Sequence, residues 1–433
     1  MPTPKTHPGS LAASIALLAL VLACTSCSNP PPPAGSSGGG TATSECPDLT
    51  GAWRSGEYVA LSVDPDGNHR ELTGLTMTLE VKEQTGCLFS ATNTWSNGDL
   101  DGSEYTAGVL NPDGNWITLI EVGEHPGGGS TGHILGRLIE GDQMTLEYTA
   151  YSNDGSLATA FSTIVAREGS PVPSENCPDL LGTWTGHPFD TLNVYADGST
   201  SQQMGSSNVL TIEHQLGCTF RAVNTWSNAG LGIGGSEHVA GVLHSDGVLI
   251  SMVEIGPHPE GGTRAFIRGR LIGDQVLEWD YVGITEDATM GQGIRTRLVR
   301  EGEPSPREDC PDLTGKWSID AWDGLRVHAD GTHDPVRSDF HDFEIREQIG
   351  CTLMATSTYA PLDGEGDEWT ENWVGVVSEQ DLLIMRAVAQ PSDHLASKLF
   401  ARIDSERELH AEYSGYAVDG SSALVYLQHL VKE

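Results

Sequence analysis

Polar and aromatic side chains recur at matching positions in two stretches of this chain, and their types are those that hold a small ligand. The candidate ligand-binding residues are Asn93, Trp95, Glu121, His125 and Tyr148 in the first stretch and Asn224, Trp226, Glu254, His258 and Trp279 in the second. A few amide, carboxylate and imidazole groups beside aromatic walls are typical of small-molecule sites. The two sets therefore predict binding of a small molecule or a glycan.

A metal site or an enzyme is a less favoured interpretation of the same residues. Glu121 and His125 stand four positions apart, which is about 13 Å along an extended strand. One metal ion could bridge them only if the chain bends at Gly123 or Pro126. The sequence contains no nucleophile elbow, phosphate-binding loop or complete calcium loop. We therefore expect no catalytic residues, no metal and no cofactor, and a binding or structural protein rather than an enzyme.

A third stretch carries different residues at the corresponding places. The alternating residues there are Leu382, Ile384 and Arg386, which correspond to Ile117, Leu119 and Glu121 of the first stretch. Arg386 is therefore expected where the other two stretches have a glutamate. The remaining replacements are Ser357, Tyr359 and Gln390. The third stretch is therefore expected to reject the ligand of the other two. A structural or adhesive surface module with filled interiors stays open as the alternative function.

The candidate sites are embedded in a threefold repeat. The motif CPDLxGxW opens each unit of about 120 to 130 residues, at Glu45–Trp53, Asn176–Trp184 and Asp309–Trp317. The expected organisation is a signal peptide at 1–23, a tether at 24–44 and three repeats at 45–168, 176–301 and 309–433. The proline-containing joints between repeats are short and stiff, so the sequence predicts three separate beads, each with its own core.

Six cysteines support the repeat independently. The two cysteines of each unit stand 41 positions apart. Equal spacing in an exported chain predicts three disulfides within the units rather than cross-links between them. The expected pairs are Cys46–Cys87, Cys177–Cys218 and Cys310–Cys351.

Each unit consists of short strands separated by turn residues. Segments rich in β-branched and aromatic residues alternate with Gly, Asn and Asp, as Glu104–Leu110 and Trp116–Val122 do around the turn at 111–115. No stretch shows sustained helical periodicity. Eight or nine strands per unit predict an all-β chain of three tandem antiparallel up-and-down barrels of about eight strands each, or otherwise sandwiches.

The ends of each unit resemble the calycin group. Leu313-Thr314-Gly315-Lys316-Trp317 is similar to the first strand of avidin, and GxW near the start resembles lipocalins as well. The resemblance implies a lipocalin- or avidin-like barrel whose floor tryptophan is covered by a basic residue of the last strand. The floor pairs so implied are Trp53 with Arg167, Trp184 with Arg300, and Trp317 with Lys432. Biotin binding is not implied, because the avidin asparagine is replaced by Ser55, Gly186 and Ile319.

The amino terminus indicates export. An apolar run of about 13 residues from Leu11 to Ala23 precedes Cys24, which is typical of a secretory signal rather than a membrane span. Val21-Leu22-Ala23-Cys24 resembles the bacterial lipobox, which implies cleavage before Cys24 and lipidation of its thiol. An ordinary secretory signal stays open. We expect a lipid-anchored protein on the extracytoplasmic side of the cell membrane or outer membrane, with the bilayer as partner through the acyl chains.

The strongly acidic composition excludes one class of partner. The formal net charge is −37, from 60 acidic and 23 basic side chains. Binding to nucleic acid requires basic groups that neutralise phosphates. The sequence therefore predicts no nucleic-acid partner.

Overall fold

The structure is a computed structural model of the whole chain. It describes residues 46–99, 101–111, 115–122, 130–140, 142–152, 155–167, 177–256, 263–285, 287–302, 310–319, 322–338, 341–359, 369–378, 381–388, 395–417 and 420–433.

The described residues form three antiparallel β-barrels, which confirms the predicted fold class. Barrel 1 contains β1 Gly51–Ser55, β2 Tyr58–Val63, β3 His69–Thr85, β4 Leu88–Ser96, β5 Asp101–Leu110, β6 Trp116–Val122, β7 Ser130–Glu140, β8 Gln143–Ser152 and β9 Ala158–Arg167. Barrel 2 contains β10 Gly182–Gly186, β11 Phe189–Tyr195, β12 Thr200–Leu216, β13 Thr219–Asn228, β14 Ile233–Leu243, β15 Leu249–Ile255, β16 Thr263–Ile272, β17 Val276–Thr285 and β18 Met290–Val299. Barrel 3 contains β19 Gly315–Ile319, β20 Trp322–His328, β21 His333–Ser338, β22 His341–Ile349, β23 Thr352–Tyr359, β24 Trp369–Val377, β25 Leu382–Val388, β26 Leu395–Ser405, β27 Glu408–Ala417 and β28 Ser422–Lys432.

Each barrel closes through a first strand that is broken into two pieces. In barrel 1, β1 and β2 both lie between β3 and β9, and the remaining strands follow in sequence order from β4 to β9. β3 is 17 residues long, which lets one strand pair with both pieces. Barrel 2 repeats this arrangement, and barrel 3 divides the long strand into β21 and β22 as well. Eight strand positions therefore enclose each interior.

The disulfides confirm the predicted pairing. Cys46–Cys87, Cys177–Cys218 and Cys310–Cys351 are bonded, with Cα atoms 5.3, 5.2 and 5.3 Å apart. Each bond ties the segment before the first strand to the turn that follows the long strand. The limits of the three repeats stay a prediction, because their ends fall partly outside the described residues.

The three barrels are not separate beads. Outward-facing residues of all three form one shared core, which includes Leu61 of barrel 1, Phe266 of barrel 2 and Phe400 of barrel 3. The Phe266 and Phe400 rings meet edge to face with centroids 5.8 Å apart. The prediction of three independently packed domains was wrong, because strands such as Leu249–Ile255 are buried on both faces. Burial of the outer faces makes residues 44–433 one compact unit.

The same two faces meet at each contact between barrels. Strands β14 and β15 of barrel 2 pack on β9 and β8 of barrel 1. Strands β24 and β25 of barrel 3 pack in the same way on β18 and β17 of barrel 2. Strands β5 and β6 of barrel 1 pack on β28 and β27 of barrel 3. Such head-to-tail contacts close into a ring after three copies. The described part of the chain contains no helix capable of spanning a bilayer.

Candidate functional site

The GxW tryptophans close one end of each barrel, which we name the floor end. Trp53, Trp184 and Trp317 are almost fully buried, and each indole Nε1 donates to the carbonyl of the residue four positions earlier, at 2.8, 3.1 and 3.0 Å. The basic groups of Arg167, Arg300 and Lys432 lie 4.6, 4.6 and 5.9 Å from the three ring centroids. A cation over an indole face is an attractive arrangement. Access to the interior is therefore expected from the opposite end, the mouth end.

Sequence reasoning missed a glutamine that fixes this floor segment. Gln84 Oε1 accepts from the Leu49 amide at 2.7 Å, and its Nε2 donates to the Pro47 carbonyl at 2.9 Å. Gln215 and Gln348 make the same contacts in barrels 2 and 3. The recurring spacing QxGC at the second cysteine of each unit was the available signal.

A buried carboxyl pair lies in the mouth half of barrel 1. Asn93 stands opposite Glu104 on β5, and its Nδ2 lies 3.4 Å from both Glu104 Oε2 and Glu121 Oε1. Trp95 Nε1 donates to Glu104 Oε1 at 2.8 Å. Asn93 and Glu121 are each 2% exposed, whereas Trp95 is half-buried. The structure thus brings together Asn93, Trp95 and Glu121 and adds Glu104.

Burial gives this carboxyl pair unusual acid–base behaviour. The pKa of Glu121 is raised well above its usual range, first by burial and then by the adjacent Glu104 carboxylate. Two adjacent carboxyls that share the Asn93 amide favour a state in which one of them keeps its proton. The pair can therefore accept hydrogen bonds from a ligand and can lose a proton when a cation binds.

Barrel 2 repeats this pair at the same register. Asn224 Nδ2 donates to Glu254 Oε1 at 2.9 Å, and Trp226 Nε1 donates to Glu237 Oε1 at 2.7 Å. The pKa of Glu254 is raised well above its usual range by burial and then by Glu237. The mouth halves of barrels 1 and 2 thus carry matching polar groups.

Aromatic side chains line the same half of barrel 1. The Tyr148 ring stacks on the Phe161 ring with centroids 4.7 Å apart. The centroids of the Tyr58 and Phe161 rings are 4.9 Å apart. A Cβ at Gly132 would overlap both Glu121 and Tyr148, so the backbone of β7 lies directly against this cluster. Tyr148 therefore lies at the carboxyl pair.

Trp279 does not correspond to Tyr148. The strand registers pair Ile134 with Tyr148 and Ile267 with Tyr281, so Tyr281 is the equivalent residue in barrel 2. Tyr281 is hydrogen-bonded to Glu254. Trp279 lies two positions nearer the floor end, 1% exposed within the barrel core. The structure therefore corrects the match of Tyr148 with Trp279, and the role of Trp279 in ligand binding stays a prediction.

Barrel 3 retains only one carboxyl of the pair. Glu371 stands opposite Ser357, as Glu104 stands opposite Asn93. The residue equivalent to Glu121 is Ala387, which pairs with the fully buried Trp373. The interior space is therefore occupied by an indole rather than by a second carboxyl.

Arg386 does not enter barrel 3, contrary to the sequence expectation. Leu383, Met385 and Ala387 face the interior, so Arg386 faces outward, and its Nη1 donates to the Arg264 carbonyl of barrel 2 at 2.8 Å. The sequence alignment of β25 with β6 was off by one residue. A shift of one residue along a strand moves every side chain to the opposite face of the sheet.

Aromatic stacking fills the mouth half of barrel 3. Tyr426 stacks between Tyr413 and Trp322, with centroids 4.1 and 3.8 Å away. Burial raises the pKa of Glu371 to about 7, although the Tyr359 hydroxyl donates to it. The mouth half of barrel 3 is thus aromatic, and Glu371 within it is mostly protonated below pH 7.

Some candidates lie outside the described residues. These are Cys24, His125, His258 and Gln390. The candidate metal-ligating groups among the described residues lie on outer surfaces of the barrels, away from the carboxyl pairs.

Comparisons with known proteins return only distant similarities. No protein-family model and no curated protein matches this chain. A protein of unknown function of the DUF3598 family from Nostoc punctiforme is similar over 58% of this chain and 96% of its own, at 15% identity and a TM-score of 0.29. Transferrin binding protein B from Neisseria meningitidis covers 90% of this chain and 78% of its own at 10% identity, with a TM-score of 0.21. The corresponding protein variant from Haemophilus parasuis matches at 9% identity over the same shares, also with a TM-score of 0.21. At TM-scores this low the fold assignment rests on the strand pairing alone.

Proposed function

We propose that this chain is an exported surface protein in which barrels 1 and 2 each bind one small molecule or glycan at the mouth end. The observation that carries the proposal is the buried carboxyl pair, Glu104 with Glu121 and Glu237 with Glu254, at one register in two barrels. Barrel 3 is expected not to bind the same ligand.

The fold itself does not require the second carboxyl. Barrel 3 closes with the same topology although Ala387 replaces it. Burying an ionisable group without an opposite charge is costly. Such groups with perturbed pKa values are concentrated at functional sites. Retention of the pair in both other barrels is therefore best explained by a ligand.

The chemistry of the pair defines the ligand class. Carboxylates accept hydrogen bonds, so the ligand supplies hydroxyl or amine donors. The half-buried Trp95 and the stacked Tyr148 offer flat apolar surfaces beside the acceptors. A cationic amine would favour the fully ionised pair, so its binding would release a proton and strengthen as pH rises. A neutral sugar would show weaker dependence on pH.

Export and anchoring complete the proposal. Three disulfides are typical of proteins that reside in an oxidising compartment. The lipobox-like segment ending at Cys24 would then supply the acyl anchor, and residues 24–44 the tether. The GxW floor supports a relation to the calycin group, whose members share a barrel but differ in ligand.

A structural surface module is the second candidate. The shared core of the three barrels and the almost complete burial of side chains such as Trp279 and Trp373 favour it. Under that function the carboxyl pairs would bind nothing, and their replacement would change only stability.

Calorimetry on the full chain separates the two functions. We would titrate neutral sugars, amino sugars and alkylamines into the wild type, Glu121→Gln, Glu254→Gln and the double variant. Either variant prevents full ionisation of the pair, and loss of a charged hydrogen bond costs about 1.5–3 kcal/mol, so each affected site should bind amines roughly 10- to 100-fold more weakly. Glu371→Gln, in barrel 3, is the matched control and should leave binding unchanged. Equal affinities in all proteins would favour the structural module.

A further inference from the structure

A cluster of histidines and carboxylates lies on the outer face of barrel 3, away from the proposed ligand sites. Glu408 and His410 are two positions apart on β27 and share its outward face, while His429 on β28 stands directly opposite His410. The two imidazoles stack with centroids 4.6 Å apart and planes inclined by 12°. All three residues are half-buried. The hairpin therefore presents three ligand-type groups from a rigid surface.

Distances within this cluster suit a metal ion. His429 Nε2 lies 2.8 Å from Glu408 Oε1, and the candidate ligand atoms of the three residues are within 4.8 Å of one another. Zinc–nitrogen bonds of about 2.0–2.1 Å place tetrahedral ligands about 3.4 Å apart. Side-chain rotations that bring the most distant of these atoms about 1.4 Å closer reach that spacing. Imidazole and carboxylate are suitable ligands for zinc.

An outer ion pair, Asp404 with Arg402, lies beside His410. Asp404 Oδ2 lies 3.0 Å from His410 Nε2, and Arg402 holds the same carboxylate through contacts of 2.6 and 3.1 Å. Asp404 adds negative charge beside the cluster while its own position is fixed.

The cluster borders a cleft between barrels 3 and 1. The cleft has a volume of about 980 Å³, and both His410 and His429 line it together with Gly86 and Leu88 of barrel 1. A metal held by three protein ligands at such a place keeps one position that water or a small ligand can reach.

The histidine pair is particular to barrel 3. The equivalent facing residues are Thr145 and Ile164 in barrel 1 and Glu278 and Arg297 in barrel 2, where the latter two form an ion pair of 3.4 Å. The same place in the fold is thus stable without histidine. Fold stability does not account for the cluster in barrel 3.

A second cluster, His69, Glu71 and His214, lies between barrels 1 and 2. Its His69 Nδ1 lies 3.2 Å from Arg221 Nη1, so a guanidinium stands beside the position that a metal would take. This guanidinium contacts a candidate ligand nitrogen directly and disfavours a metal cation there, whereas the Arg402 guanidinium of barrel 3 is held by the Asp404 carboxylate.

We propose that Glu408, His410 and His429 form a binding site for Zn²⁺, with one coordination position directed to the cleft between barrels 3 and 1. The site does not depend on the proposed ligand function of barrels 1 and 2.

Titration of Zn²⁺ into the chelator-treated full chain tests this proposal. We expect one high-affinity ion per chain, with an affinity reduced at least about 100-fold by His410→Gln or His429→Gln, since loss of even an outer partner costs 10- to 100-fold. His328→Gln is the matched control, because His328 pairs with Asp334 at 2.9 Å on the same barrel outside the cluster.

Two further readouts keep the result unambiguous. Co²⁺ in place of Zn²⁺ should give the intense visible absorption of a four-coordinate site, and both histidine variants should lose it. Melting curves without metal should coincide for the wild type and the variants, which excludes loss of folding as the cause. Unchanged Zn²⁺ affinity in His410→Gln and His429→Gln, or its loss in His214→Gln instead, would overturn the proposal.

Discussion

Glu371 gives barrel 3 a stability that should depend on pH. Glu371 is 4% exposed, and burial raises the pKa of its carboxyl from 4.5 to about 7. The folded chain therefore keeps this proton up to about pH 7, whereas the unfolded chain loses it near pH 4.5. Because the folded state binds the proton more tightly, stability from this group is present below pH 4.5 and is lost as pH rises through 7.

The magnitude follows from the size of that shift. One pKa unit corresponds to 1.36 kcal/mol, so a shift of roughly 2.5 units is worth about 3 kcal/mol. Glu371→Gln carries a neutral amide at every pH and lacks this dependence. The difference in unfolding free energy between the variant and the wild type should therefore change by about 3 kcal/mol between pH 4 and pH 8, in favour of the variant at pH 8.

Urea unfolding at a series of pH values measures this difference. Subtracting the wild-type curve from the variant curve removes the contribution of every other titrating group. Glu406→Gln, at an exposed position of the same barrel, is the control and should give a flat difference. A flat difference for Glu371→Gln as well would refute the assignment of a buried, protonated carboxyl in barrel 3.

Three other outcomes follow from the structure. Trp184→Ala should lower the unfolding free energy by about 3–5 kcal/mol in one shared transition, because the barrels have a common core; a separate early transition in calorimetry would contradict that coupling. Thr118→Val should cost about 1–3 kcal/mol in urea unfolding near pH 8, because Thr118 Oγ1 donates to the half-buried Glu412 across the contact of barrels 1 and 3 at 2.8 Å; no change would exclude that contact. Cys24→Ala should abolish acyl labelling and membrane retention, and an unchanged membrane fraction would remove the anchor.

The elements of each barrel were predictable from local pattern. Turn residues and β-branched runs placed strands such as Trp116–Val122, and the equal cysteine spacing gave the disulfides, because both depend on information within one unit. Asn93 and Glu121 were found from alternation along β4 and β6, where Glu121 continues the face of Ile117 and Leu119 although β6 is buried on both faces.

The relation between barrels was not predicted from the sequence. β25 is apolar on both faces, so its alternation does not say which face is inside, and Arg386 was assigned to the wrong one. The same two-sided apolar strands were the signal that the barrels pack on one another. Glu104 was not assigned to the site from the sequence, because its partner Glu121 comes from another strand and pairing across strands requires the register.

Native mass spectrometry of the exported full chain tests the central claim most directly, with the tightest-binding compound of the sugar and amine panel as probe. The carboxyl pairs predict two bound molecules per chain, one in Glu121→Gln, one in Glu254→Gln and none in the double variant. Three molecules per chain, two in the double variant, or no binding by any compound would contradict the assignment of ligand sites to barrels 1 and 2.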